Sequence, residues 1–515
     1  MTIVETSKGK LRGTDEGGLL VFRGIPFTRP PVGERRFRPP EPVDRWDGIR
    51  DALTFGPMSL QTVNERMRDI FGTPKEEPRY DEDCLYLNVW TPGLDDARRP
   101  VMVWIHGGAF TIGGGSEPVY DGAALAARDA VIVTINYRLG ALGFLCHQSL
   151  AEGGNPCANF GILDQIAALE WVRDEIAGFG GDPDNVTIFG ESAGAMSVGT
   201  LLASPRASGL FRRAILQSGA GHNAITVDKA QRVTNLFEKA LGAGELSAEK
   251  LRSAPATAIL AAQQQVELRE YERMQRGQEL GLLPFQPVID GMLLSKLPIE
   301  SIRDGASRDV PVLTGTTLDE WRLFLGVWPQ LLSLDEEAAA YRLAWVVARN
   351  DDTVRGREAL RAYKQAREER GDPVAALDLF MAAMTDQEFR IPMDRLAVAQ
   401  AAHGSPVFMY RFDWPSPVAN GLIGACHALE LPFVFGTYGL APAFVGGGPE
   451  ADALAKRMGD AWVAFARSSD PSTPEVRWPR FDPERREVVA FGASGCCVET
   501  RPQEPERRFW DGIIP

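Results

Sequence analysis

The sequence predicts an α/β protein: a central, mostly parallel sheet flanked by helices, with helical insertions above it. Three observations predict this. Short apolar runs end at glycines or polar turns, a segment with helical spacing lies between two of them, and charged helical stretches follow. The runs are VMVWIH (101–106), AVIVTINY (130–137), VTIFG (186–190) and RAILQSG (213–219), and VPVLTGTT (310–317) and PVFMYRF (406–412) resume the pattern later. Apolar runs of this length suit strands buried on both faces of a parallel sheet. Strands alternating with helices point to the same class.

Each element follows in order. The first hundred residues are rich in Pro, Gly and Arg, as in PFTRPPVGERRFRPPEP, and read as short strands and turns. LDQIAALEWVRDEI (163–176) gathers Ile166, Leu169, Trp171, Val172 and Ile176 on one helical face. Two stretches, about 228–270 and 335–402, read as helical insertions where substrate walls tend to sit. DALAKRMGDAWVAFARS (452–468) is a last amphipathic helix. No repeat, coiled coil or linker divides the chain, so residues 1–515 are expected to form a single domain.

Composition narrows the function. The 515 residues are 44% hydrophobic and 24% charged, enough to bury a large core without metal or disulfides. A net charge of −14 argues against a nucleic-acid partner. No stretch approaches the about 20 apolar residues of a membrane span. The six cysteines (Cys84, Cys146, Cys157, Cys426, Cys496 and Cys497) contain no CxxC pair, so neither a metal nor a cofactor is expected. The start, MTIVETSKGKLRG, has no apolar leader core. The expectation is a cytoplasmic monomer or small homo-oligomer.

Gly190-Glu191-Ser192-Ala193-Gly194 is the only G-x-S-x-G, and it stands between the strand VTIF and the helical run AMSVGTLLA. A serine hydroxyl becomes a useful nucleophile only when held exposed beside a base, and a sharp strand-to-helix turn does that. The turn also aims the Ala193 N–H at a reacting oxygen. His106-Gly107-Gly108-Ala109-Phe110 follows another strand. Its glycines let backbone N–H groups approach a developing oxyanion, where losing one donor costs about 3 kcal/mol of barrier. No phosphate-binding glycine pattern competes with this reading. The base must come from five histidines: His106, His147, His222, His403 and His427. The order Ser, acid, His of α/β hydrolases leaves His222, His403 and His427 open.

Motifs spread from FRGIPFTRPPVGERRFRPPEP (22–42) through EDCLYLNVW (82–90), HGGAF (106–110), NYRLGALGF (136–144), GDPDNVTIFGESAGA (181–195), GTTLDEW (315–321) and CHALELPFVFG (426–436) to WPRFD (478–482). On these the chain resembles the type-B carboxylesterase/cholinesterase family, and within it the bacterial para-nitrobenzyl esterases. The resemblance implies the α/β-hydrolase fold, with insertions forming a substrate gorge. It implies a serine carboxylesterase acting on small-molecule esters with short to medium acyl or aryl groups through an acyl-enzyme. His427 matches the family's H-x-x-E-L-P-F base, and Glu320 its G-x-x-x-D-E acid, with Asp319 the neighbouring alternative. The oxyanion hole carries over to Gly108, Ala109 and Ala193, and Ser218 to a partner of Glu320. Leu282, Leu283, Phe285 and Phe324 fall near pocket segments. Other readings are an amide or carbamate hydrolase with the same triad, or an adhesion protein that has lost activity.

Four features bear on the resemblance. Ser59 stands where secreted relatives carry the cysteine that pairs with the one at Cys84. Residues 62–83 lack the tryptophan with which cholinesterases hold a quaternary ammonium, and Trp321 replaces the family's glycine after the acid, where packing is expected. Arg36 and Glu82 match a structural ion pair.

Overall fold

The computed structural model describes residues 2–62, 77–151, 159–242, 246–275, 283–348, 350 and 352–513. Leu282, Cys157 and most of the 62–83 loop lie outside the described residues. Among those described, thirteen strands form one sheet: β1 Thr2–Thr6, β2 Gly9–Glu16, β3 Leu19–Pro26, β4 Ile49–Asp51, β5 Tyr86–Thr91, β6 Arg99–Ile105, β7 Val131–Ile135, β8 Gly181–Glu191, β9 Arg213–Gln217, β10 Val312–Thr317, β11 Val407–Phe412, β12 Glu487–Gly492 and β13 Gly495–Thr500. Across the sheet the order is β1-β2-β3-β5-β7-β6-β8-β9-β10-β11-β12-β13, with β4 beside β2. Every neighbouring pair from β7 to β12 is parallel. The β1–β2, β2–β3, β3–β5, β5–β7 and β12–β13 pairs are antiparallel.

The helices that frame the sheet and its insertions are α1 Phe160–Glu175, α2 Ala193–Ala203, α3 Val227–Leu241, α4 Ala256–Gln275, α5 Pro298–Arg303, α6 Glu336–Val347, α7 Thr353–Arg370, α8 Ala376–Thr385, α9 Ile391–Ala401, α10 Pro449–Ser468 and α11 Glu504–Phe509, and a short helix, Ala248–Ser253, precedes α4. A π-helical turn, Asp386–Arg390, joins α8 to α9. No helix among the described residues is long and apolar enough to cross a membrane.

The central strands are rich in apolar residues because both faces are covered. Val101, Val103 and Ile105 of β6 enter one core with Val131, Val133 and Ile135 of β7. Met102, Trp104 and Ile132 enter the core on the other face. This is the period-2 alternation of a strand with two dry sides.

Helix α1 departs from the one-faced reading. Most of its side chains are buried, including Asp164 and Gln165. Burying a carboxylate is tolerable only when it is paired. Arg138 reaches Asp164 with Nε at 2.8 Å and Nη2 at 2.7 Å, and its own backbone N–H adds a bond at 3.0 Å. Gln165 donates to Ser197 at 3.0 Å. Removing one member of such a pair strands the other charge in the interior, at a cost of about 3–5 kcal/mol. Asp164→Ala is therefore expected to lower the free energy of unfolding by that amount, read as a shift in the urea midpoint at constant slope.

The Arg36–Glu82 pair is present and doubly bonded, with both contacts at 2.5 Å. Arg36 also donates to the carbonyls of Leu251, Arg252 and Ala254, so it ties the N-terminal loop to the short helix before α4. Cys84 is free and buried, and burial pushes its thiol well up from the ordinary range.

Candidate active site

Parallel strands put their C-terminal ends on one edge, and four adjacent strands end in the chemistry-bearing segments. β6 ends at Ile105 before His106, β8 at Glu191 before Ser192, β9 at Gln217 before Ser218, and β10 at Thr317 before Asp319 and Glu320. The register pairs Gly190 of β8 with Ile105 on one side and Leu216 on the other. Residues far apart in the chain are thereby set side by side, as in other open α/β sheets whose sites lie beyond the strands' carboxyl ends.

Ser192 sits between β8 and α2 at φ 55° and ψ −124°, and its backbone N–H donates to the Gln217 carbonyl at 2.9 Å. Such a conformation costs about 1–3 kcal/mol and persists only where the surroundings impose it. Packing imposes it here. A Cβ on Gly194 would lie 2.0 Å from the Ile105 carbonyl oxygen.

The His106–Phe110 loop lies against this turn. A Cβ on Gly107 would stand 2.7 Å from the Glu191 carbonyl and 3.1 Å from the Ser192 Cβ. Gly108 adopts φ 104°, followed by Ala109 and Phe110 at φ 55° and 60°. The loop is clamped from outside. Tyr137 Oη donates to the His106 carbonyl at 2.9 Å and its ring stacks on the His106 ring, while the Gly140 N–H donates to the Phe110 carbonyl at 2.7 Å. The N–H groups of Gly108, Ala109 and Ala193 are taken by no acceptor among the described residues.

His427 lies buried with Nδ1 2.6 Å from Glu320 Oε2. Glu320 is fully buried, and its Oε1 accepts from Ser218 Oγ at 2.6 Å and the Thr317 N–H at 2.8 Å. Asp319 turns elsewhere, to the Ala425 N–H at 3.1 Å and towards Arg322. The other histidines are differently engaged. His106 contacts the Gly107 carbonyl, His147 pairs with Glu238 and Ser149, and His403 meets the Arg303 carbonyl. His222 has no ring-nitrogen partner.

The structure adds a carboxylate that the motif reading passed over. His427 Nε2 lies 3.0 Å from Glu191 Oε1, off the line of a hydrogen bond. Ser192 Oγ forms no hydrogen bond with Nε2, although the imidazole faces the turn that carries it. A third buried acid, Glu430, accepts from Gln217 Nε2 at 3.1 Å, and Gln217 Oε1 accepts from Trp462 Nε1 at 2.9 Å. Burial and the charge of Glu320 push Glu430 up to about 7. Burial pushes Glu191 well above the ordinary carboxylate range. For His427, burial works downwards but is outweighed by Glu191 and Glu320, which raise it to about 9.

Aromatic rings cover the imidazole. Phe389, on the π-helical turn, lies 4.7 Å from the His427 ring, and Phe324 lies 5.7 Å away. Trp321 stacks on Trp328 at 5.1 Å and is 1% exposed, so its ring packs. Leu283 and Phe285 are not brought to His427 by any ring contact. Phe285 is fully buried against Phe237, and Leu283 packs on the same core. No sequence signal marked Phe389. Glu191 was visible, but only as the variable residue of its motif.

Comparison with known proteins agrees with this geometry. The family model described as the carboxylesterase family matches residues 1–510. The para-nitrobenzyl esterase of Bacillus subtilis (strain 168) is 40% identical over 514 residues, covering 98% of each chain. A phenmedipham hydrolase of Pseudarthrobacter oxydans is 36% identical over 512 residues, again 98% of each. Among solved structures, a Geobacillus stearothermophilus carboxylesterase matches with a TM-score of 0.84 at 43% identity, covering 99% of this chain and 100% of that one. The chain has the α/β-hydrolase fold and belongs to the carboxylesterase family, as a carboxylic ester hydrolase.

Proposed function

We propose that the protein hydrolyses small carboxylic esters, with short to medium acyl or aryl groups, through a Ser192–His427–Glu320 triad and an acyl-enzyme. One observation carries the reading: His427 is fixed by Glu320 at Nδ1 while its Nε2 faces the strained turn that presents Ser192. The reading requires the imidazole to exchange its Glu191 contact for the serine hydroxyl when substrate binds. Catalytic hydrogen bonds of this kind are often long before substrate arrives.

His427 then takes the Ser192 proton as the oxygen attacks the ester carbonyl. The free N–H groups of Gly108, Ala109 and Ala193 receive the negative oxygen. His427 returns the proton to the leaving alcohol, and water repeats the cycle on the acyl-enzyme. Glu320 holds the tautomer that makes this possible. A cytoplasmic setting suits a fold in which Cys84 faces Ser59 rather than a second thiol.

The test of substrate class is a series of para-nitrophenyl esters, with matched amides and carbamates. The expected result is fastest turnover on short to medium acyl chains. A maximum on long chains, or on the amide or carbamate, refutes the assignment, and absence of labelling by a fluorophosphonate points to a non-catalytic protein.

The pH dependence follows from the electrostatics. A protonated His427 cannot act as base, so kcat/KM is expected to rise with pH through a limb near 9. Glu191→Gln removes one of the two carboxylates that hold the proton on the ring. The limb is then expected to move to lower pH in the variant. A limb that stays put means that Glu191 does not govern the base.

A further inference from the structure

Phe389 reaches the His427 ring from the π-helical turn Asp386–Arg390, which joins α8 to α9. Such turns are rare and recur at functional sites. Three polar attachments converge on this one. Thr385, the residue before it, accepts the backbone N–H of Trp321 at 3.2 Å, and Trp321 follows Glu320 in the chain. Asp386 is buried and accepts from Arg390 Nη2 at 2.6 Å and from Arg390 Nε. Asp386 Oδ2 also accepts from the Tyr363 hydroxyl, which comes from α7.

Tyr363 is itself held from behind. Its oxygen accepts from Trp510 Nε1 at 2.7 Å, and both rings are buried. Arg370 of α7 donates to Glu506 of α11 through Nη1 at 2.9 Å, so the two helices that carry this contact are fastened together. Burial raises the Tyr363 phenol well above its ordinary value, so the hydroxyl keeps its proton and donates to Asp386. Replacing buried ion pairs by apolar residues of the same shape is often neutral or stabilising, so stability alone does not account for the network. A fully satisfied polar network can instead hold one arrangement rigidly. The turn it holds ends at the active site, where the Phe389 ring lies 4.7 Å from the imidazole and tilted 39° to it.

We propose that Tyr363 is a positioning residue: through Asp386 it fixes the π-helical turn, and through Phe389 it sets the angle at which the His427 ring meets Ser192. The inference rests on the Ser192–His427–Glu320 reading. In that reading the imidazole leaves Glu191 for the serine hydroxyl while Glu320 keeps Nδ1, so the ring pivots against the face of Phe389. Tyr363 has no part in holding substrate. Its effect falls on proton transfer, which is steeply sensitive to geometry: a misplacement of about 1 Å at reacting groups costs about 10²-fold in rate. The loss is therefore one of kcat and not of KM.

The experiment is a double-mutant cycle on the full chain with para-nitrophenyl acetate, using Tyr363→Phe, Phe389→Ala and the two together. Rates are taken well below each unfolding midpoint and normalised to the sites that a fluorophosphonate titrates. Tyr363→Phe is expected to lower kcat per site by about tenfold or more, with KM within about twofold of the wild type. In the Phe389→Ala background the same change is expected to alter kcat by less than about twofold, because the ring through which it acts is gone. Trp510→Phe removes only the indole donor to Tyr363 and is expected to lower kcat by less, in the same pattern. It takes the place of Tyr363→Phe in the cycle if that variant does not fold. Unchanged kcat per titrated site, whatever the fall in melting temperature, overturns the proposal. So does a loss of equal size with and without Phe389. A wild type that the fluorophosphonate does not label removes the triad and this inference with it, whereas a labelled wild type with an indifferent Tyr363→Phe removes this inference alone.

Discussion

Ser192→Ala is expected to lower kcat on a para-nitrophenyl ester by about a millionfold, the size of loss seen when a triad nucleophile is removed. That corresponds to about 8 kcal/mol of barrier. The fold should be indifferent to the change. The Ser192 backbone N–H bond to Gln217 needs no side chain, and alanine keeps the Cβ already accommodated at φ 55°. Nor does the hydroxyl satisfy a buried partner, since it has no hydrogen bond in the resting structure. Thermal stability is expected to stay within about 0.5 kcal/mol of the wild type. The proposed oxyanion donors remain, so a residual rate of about 10³–10⁴ over water is expected. Burst kinetics and fluorophosphonate labelling should both vanish. Substantial turnover by a pure, folded variant removes Ser192 from the mechanism.

The reach of sequence reasoning followed where the backbone, rather than the side chain, is under constraint. The turns at Ser192 and Gly108 were legible because only glycine fits beside them. The Ile105 carbonyl leaves no space for a side chain on Gly194, and the Ile112 carbonyl leaves none on Gly108. The parallel middle of the sheet was legible because strands covered on both faces are mostly apolar. Side-chain destinations were less so. Phe285 and Phe324 are equally apolar neighbours of loop segments, yet one packs on Phe237 in the core and the other on His427. Phe389 reaches the imidazole from a π-helical turn, whose extra residue leaves no mark on helical spacing. Helix α1 looked one-faced because Asp164 and Gln165 counted as surface, and their buried partners come from elsewhere in the chain. Glu191 is the plainest case. A carboxylate beside Ser192 has no meaning until the fold sets His427 3.0 Å away.

Glu320→Gln is expected to cost about 10⁴ in kcat, with little change in KM. The orientation of the new amide decides the effect. Glu320 Oε1 accepts two hydrogen bonds, from the Ser218 hydroxyl and the Thr317 N–H, while Oε2 faces His427 Nδ1. A glutamine in the same pocket keeps its carbonyl oxygen towards the two donors, because an NH2 there would meet the Thr317 N–H head on. Its NH2 must then point at Nδ1, and Nδ1 can only accept. The ring proton moves to Nε2, on the side facing Ser192, and the imidazole can no longer act as base. The loss of charge also weakens the imidazolium that forms during attack, and moves the pH limb of the residual activity below that of the wild type. Ser218→Ala removes one of the two donors, but the Thr317 N–H remains and still fixes the glutamine carbonyl, so the double variant Glu320→Gln/Ser218→Ala is expected to be no more active than the single Glu320→Gln. A Glu320→Gln enzyme within tenfold of wild type, with an unmoved pH limb, means that the acid of the relay is another carboxylate, and Glu191 stands next to the ring to be tested.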